Sequence, residues 1–193
     1  MKLIAITFAV FICTIVAANS VAKDLPDRLK SCDFNEQRNA ADEVVAQPNK
    51  YDSLSLFSAA YAYFKLGEKD KAVFWFFAGQ LRLRQSSMTT PSENVGFITN
   101  MFVAAGFPIT NYATHDVAKL ASTIDRVLEW DTATPLDPRI IKIKGHEQAS
   151  KQARDSLIQF KNKIIANKAM TELEAKEKEN EAEKVFKSWS CKK

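Results

Sequence analysis

Lys69-Asp70-Lys71-Ala72-Val73-Phe74-Trp75-Phe76-Phe77-Ala78-Gly79-Gln80-Leu81-Arg82-Leu83-Arg84 decides the fold class. Two lysines and an aspartate open the stretch as a charged helical lead-in. Between Ala72 and Leu83 the only charged residue is Arg82, and apolar side chains point every way around the helix. Val73–Phe77 alone would suit a strand, but the run is longer than a strand and its lead-in is helical. A helix that is apolar on all sides must be buried. The segment is therefore predicted to be the central helix of an all-α domain. Composition agrees, because only five glycines and six prolines occur in 193 residues, and few helix breakers favour helix throughout.

Upstream, Phe57, Ala60, Tyr61 and Phe64 fall at helical spacing and form a single apolar stripe. Asp52 or Ser53 caps that helix, and Gly67 stops it. Before it, Asp33 starts a helix that alanine, valine and glutamate carry to about Gln47, where Pro48 ends it. Downstream, one helix is predicted from Ser92 to Ala105, closed by Gly106 and Pro108. A second runs from Thr114 to Trp130, with Val117, Leu120, Ala121, Ile124 and Leu128 as its buried stripe. Asp131 to Gly145 holds Pro135 and Pro138 and reads as an irregular connection. A long helix from Glu147 to Ser188 closes the chain, with Leu157, Phe160, Ile164 and Ile165 forming its apolar face. Its Glu172–Lys187 portion is nearly all charge, relieved by Leu173, Val185 and Phe186, with Trp189 just beyond.

Tyr61-Ala62-Tyr63-Phe64-Lys65-Leu66-Gly67, a charged turn, then Lys71-Ala72 and Trp75-Phe76-Phe77-Ala78 resemble the middle of a tetratricopeptide-type repeat. In such repeats Tyr-Ala and Leu-Gly close the first helix, and small residues on the second let the pair approach. The resemblance covers Ser53 to Arg84, about one repeat. No second copy follows at the repeat spacing, so what it implies is a helix hairpin within a single-domain bundle. The stretch from Ala72 to Arg82 is also similar to a segment of small exported bacterial helical proteins, some of them of the immunity type.

The chain begins with one lysine and an apolar run of about 17 residues, followed by small residues at Ala18, Ser20 and Ala22. This is the pattern of a secretory signal peptide, with cleavage expected after Ala22. The alternative is a retained membrane anchor, for which the run is at the lower length limit. Cys13 lies inside the apolar run, and the bulky Phe11 and Ile12 before it do not suit a lipoprotein cleavage site. Export leaves residues 23–193, about 170 residues, as a single helical domain in the periplasm or outside the cell, with no stable membrane span after cleavage. Two cysteines then remain, Cys32 and Cys191. They can form an internal disulfide, an intermolecular bridge, or two free thiols. The internal bridge is favoured by an oxidising compartment, and would bring Phe186 and Trp189 back onto the body.

A formal charge of +4 with interspersed signs argues against nucleic acid as a partner. His115 and His146 lack ligand spacing for a metal. Neither a Gly-x-Ser-x-Gly elbow nor a phosphate-cradling glycine loop occurs, so no catalytic residue and no cofactor is assigned. Glu129 and Asp131 beside Trp130 are the acidic pair that glycosidic chemistry would use, although a polar helix end is the ordinary reading. Gln80, Arg82 and Arg84 close the apolar helix. They either complement its C-terminal dipole or anchor an acidic protein partner. Tyr61, Tyr63, Trp75 and Phe76 are assigned to the core. The function expected is non-enzymatic protein binding in the periplasm, as an immunity-type protein neutralising a toxic effector. A structural or assembly factor of the envelope, bridging through the charged C-terminal helix, is the alternative; a hydrolase of envelope polymers is third.

Overall fold

Three aspartates fix where helices begin. Asp33 accepts hydrogen bonds from the backbone N–H groups of Asn35 and Glu36 at 2.8 and 3.2 Å. Asp52 accepts from Ser55 at 2.8 Å, and Asp116 from Lys119 at 3.0 Å. Each satisfies donors that a helix N-terminus leaves without intrahelical partners. The computed structural model describes residues 24–89, 106–136, 138–189 and 191. Among these it contains helices and no strand: α1 Leu25–Leu29, α2 Phe34–Ala46, α3 Ser53–Lys65, α4 Lys69–Thr89, α5 Phe107–Thr114, α6 Val117–Ala133, α7 Pro138–Ile141, α8 His146–Ala166, α9 Lys168–Glu177 and α10 Glu179–Ser188. The chain is an all-α, single-domain bundle, and no described helix is long and apolar enough to cross a membrane.

The α3–α4 hairpin is built by two glycines. Gly67 has φ +82°, a left-handed conformation that only glycine adopts without strain. Its N–H donates to the Phe64 carbonyl at 3.1 Å, and the Glu68 N–H donates to that of Tyr63 at 2.9 Å. Together they close the end of α3 and reverse the chain. At Gly79 an added Cβ would lie 3.4 Å from both Leu56 Cβ and Phe57 N, so the two helices touch backbone to backbone there. Phe76 is fully buried and meets Phe57 edge to face at 5.3 Å. The helix α4 is central, packing on α3, α5, α6 and α8, and Ala72, Val73, Trp75, Phe77 and Leu81 are all buried. It runs on to Thr89, well past the two arginines.

Several elements differ from the sequence expectation. The helix predicted over Ser92–Ala105 lies outside the described residues. Pro108 does not close a helix but sits in the first turn of α5, where its missing N–H costs nothing. The following helix begins at Val117 rather than Thr114, because Asp116 caps it. The irregular connection after Asp131 is shorter than expected, since α6 reaches Ala133 and α7 occupies Pro138–Ile141. The short α1 carries only Leu29 as a buried residue, too little for a periodic signal.

The largest correction concerns the long C-terminal helix. Over Glu147–Ser188 it would extend about 63 Å at 1.5 Å per residue, twice the width of a small domain. Instead the chain breaks at Asn167 and Lys178, and the Asn167 amide donates to the Lys163 carbonyl at 2.8 Å. These breaks fold α9 and α10 back so that both pack on α5. Ala175 and Ala182, both buried, are the small residues on which they approach. The return is locked by a disulfide between Cys32 and Cys191, whose Cα atoms are 5.9 Å apart. Phe186 packs on Phe64 with ring centres 5.2 Å apart, and Trp189 packs on Tyr61 at 5.1 Å.

Carboxylates on the hairpin side are held ionised by specific donors. Burial pushes the Asp42 carboxyl up, but hydrogen bonds from Tyr63 and Lys71 outweigh it and the net shift is downward from 3.8. Tyr51 and then Arg28 hold Glu43 below its ordinary 4.5, and Lys119 does the same for Asp70. In the unfolded chain these groups take up protons at the higher, ordinary values. Their contribution is therefore complete above about pH 5 and is lost as pH falls below the ordinary 3.8–4.5 range. Melting temperatures measured from pH 7 to pH 3 should be flat down to about 5 and then decline. A melting temperature that rose on acidification would contradict this.

Candidate functional site

Tyr112 lines a surface recess among the described residues. In α5, Pro108, Ile109, Asn111 and Ala113 are buried, which leaves Tyr112 and His115 at the rim facing the hairpin turn. The Tyr112 hydroxyl donates to Asp70 Oδ1 at 2.9 Å. Asp70 also accepts from Lys119 Nζ at 2.7 Å, which links α4, α5 and α6. His115 Nε2 lies 3.3 Å from the Asn111 amide nitrogen.

On one side of Tyr112 opens a cleft of about 550 Å³. Its α5 wall consists of Pro108, Asn111, Tyr112 and His115, and its α10 wall of Glu179, Ala182, Glu183 and Phe186. Phe64 and Lys69 complete its lining. The Lys69 ammonium lies over two rings at once, 5.5 Å from the centre of Phe64 and 5.1 Å from that of Tyr112. Glu183 pairs with Lys187 of its own helix at 2.8 Å, which holds its carboxyl below the ordinary value. On the other side of Tyr112 and His115 is a smaller hollow of about 220 Å³, reaching Val73, Leu120 and Thr123. The cleft joins the hairpin, the middle helices and the disulfide-held C-terminus, which are remote in sequence.

The residues singled out from sequence are distributed differently. Arg82 is not an outward anchor, and this is a correction: it is 8 % exposed. Its Nε lies 3.2 Å from Asp131 Oδ1, its Nη2 donates to the Thr134 carbonyl at 2.9 Å, and its guanidinium rests 4.8 Å from the Trp130 ring. Burial pulls its guanidinium down, against the upward pull of Asp131. The helix continues beyond it, so Arg82 does not serve the C-terminal dipole either. Gln80 and Arg84 are half-buried on the same helix and do not line the cleft.

Asp131 is the hub of this cluster. Besides Arg82 it binds Arg154 Nη1 at 2.9 Å, and Gln85 Nε2 at 3.0 and 3.1 Å. A carboxylate so enclosed by donors has no geometry for acid–base work with the exposed Glu129. His146 Nδ1 lies 3.1 Å from the Ile143 carbonyl at the start of α8. Among the described residues no group of three or more histidines, cysteines and acids could hold a metal ion. Tyr63, Trp75 and Phe76 are in the core as expected; Tyr61 is partly buried, under Trp189.

No single local pattern in the sequence assembles the cleft residues. Glu179, Glu183 and Phe186 do stand at i, i+4 and i+7 on one face of α10, which was a readable signal. Their facing partners Tyr112 and Lys69 lie far away in sequence, and only the two helix breaks bring them opposite.

No family model matches the chain, and no solved structure matches it. It is 23 % identical over 146 residues to an uncharacterized protein of Haemophilus influenzae, an alignment covering 72 % of this chain and 58 % of that relative. The chain thus spans a little over half the length of the relative it matches.

Proposed function

We propose that this chain is a stoichiometric protein-binding protein of the bacterial periplasm, of the immunity type, that masks a partner rather than transforming it. The observation that carries this reading is the cleft around Tyr112. Aromatic faces alternate there with charged side chains on an open surface, the mixture that protein-recognition patches favour. The Cys32–Cys191 disulfide supports a location where thiols oxidise, and a relative in a bacterium accords with that origin. The test is capture from periplasmic extract with the oxidised protein as bait, followed by titration of the purified partner. One-to-one binding that abolishes the partner's toxicity is the expected result. Turnover of the captured partner, or capture that survives Tyr112→Ala with Phe186→Ala, would sink the reading.

A second reading is favoured by a different surface. Ile158, Ile165, Met170 and Leu173 are between 38 and 59 % exposed and follow one another along α8 and α9. Exposed apolar side chains on these two neighbouring helices suit a bridging factor of the envelope. A partner whose binding is lost on Ile165→Glu and Met170→Glu, and retained when the cleft is altered, would select it.

A further inference from the structure

We propose that the cleft between α5 and α10 receives a positively charged side chain, arginine or lysine, presented by the partner protein. This rests on the protein-binding reading above and names the chemistry its partner must carry.

Two independent features of the cleft select a cation. The first is the aromatic surface: the faces of Phe64 and Tyr112 already hold one ammonium, that of Lys69, at 5.5 and 5.1 Å. An aromatic face attracts a cation through its quadrupole within about 6 Å. Phe186 extends the same surface, its ring set edge-on to Phe64 at 5.2 Å. The second is the wall of α10, where Glu179 and Glu183 stand one turn apart and both line the cleft. Glu183 already attracts a cation, Lys187, at 2.8 Å. An incoming guanidinium therefore meets carboxylates on one side and ring faces on the other, while its alkyl stem lies along Ala182 and Phe186. An acidic group in the same place would face both glutamates.

Lys69 acts as the internal competitor, because its ammonium occupies the ring faces that the ligand would use. Its removal therefore has opposite effects for the two signs of ligand. Lys69→Met should tighten a cationic ligand and weaken an anionic one.

The test uses the oxidised protein and two labelled octapeptides, one rich in arginine and one rich in glutamate, followed by fluorescence anisotropy at low and at moderate salt. The arginine peptide should bind and the glutamate peptide should not. Raising the salt should weaken the complex, since exposed charges are screened over about 10 Å at 0.1 M. Glu179→Gln with Glu183→Gln should weaken it at least about tenfold, equivalent to about 1.4 kcal/mol. Lys69→Met should strengthen it several-fold. All three positions are at the surface, so circular dichroism should show the wild-type helix content. Equal binding of the glutamate peptide, affinity within twofold in the double variant, or weaker binding by Lys69→Met would each overturn the proposal. The two levels fail separately. A captured partner indifferent to the double variant, with no arginine peptide bound, removes this inference and leaves protein binding standing. Arginine peptide binding with no protein captured does the reverse.

Discussion

Replacing Asp131 with alanine is expected to cost about 3–5 kcal/mol of folding stability, the range for breaking a buried ion pair by removing one partner. The side chain is fully enclosed, and its two oxygens accept from Arg82, Arg154 and Gln85. Arg82 and Gln85 belong to α4, Asp131 to α6 and Arg154 to α8, so one carboxylate pins three helices of the core. Without it the Arg82 guanidinium stays buried with Thr134 and the Trp130 ring as its remaining neighbours. Burial already pulls its pKa down, and the nearby positive charge of Arg154 adds to that pull. In a domain of this size about 1 kcal/mol corresponds to roughly 2–4 °C in Tm, so a fall of roughly 6–20 °C is expected by calorimetry.

Adding Arg82→Met to Asp131→Leu should recover much of that loss, because an apolar pair of similar volume removes the uncompensated charge. Arg154 is about one-third exposed and can turn to water. A single variant melting within about 2 °C of the parent would show that the three helices hold together without the cluster.

This cluster also shows where sequence stops being informative. The all-round apolar run from Ala72 to Leu83 demanded burial, and α4 is the central helix. Gly67 demanded a turn, and it has positive φ. Both properties are local, and local periodicity or backbone preference can carry them. Whether Arg82 points out or in depends on Asp131 and Arg154, 49 and 72 positions away. No spacing within α4 encodes that. The same holds for the C-terminal segment, whose charge pattern suits one long helix as well as three short ones. The breaks at Asn167 and Lys178 have no proline or glycine to announce them. They follow from the need to return Cys191 to Cys32 and to seat Ala175 and Ala182 on α5. The cleft inherits this: its walls are legible one at a time, their opposition is not.

Removing the disulfide, by Cys32→Ala with Cys191→Ala, is the second change expected to act strongly, and its effect should begin at α10. The two cysteines are 159 positions apart, and closing so long a loop restricts the unfolded chain by an amount worth up to about 5 kcal/mol in the chain-entropy model. Strain and residual structure reduce this, so a loss of about 2–4 kcal/mol is the figure to test. The native state gives the loss a location. A ten-residue helix is marginal by itself, and α10 buries only Ala182. Beyond that it rests on the contacts of Phe186 and Trp189 with Phe64 and Tyr61. Untethered, it should open before the body does. Hydrogen exchange over 179–188 should accelerate while α3 and α4 remain protected, and Trp189 should become solvent-exposed. Because α10 supplies Glu179 and Glu183, the cysteine-free protein should also lose the arginine peptide. The wild-type protein should run faster on a non-reducing denaturing gel than on a reducing one. A dimer band that disappears with reductant would place the bridge between chains. Unchanged exchange in α10 would mean that the aromatic contacts alone hold the C-terminus down.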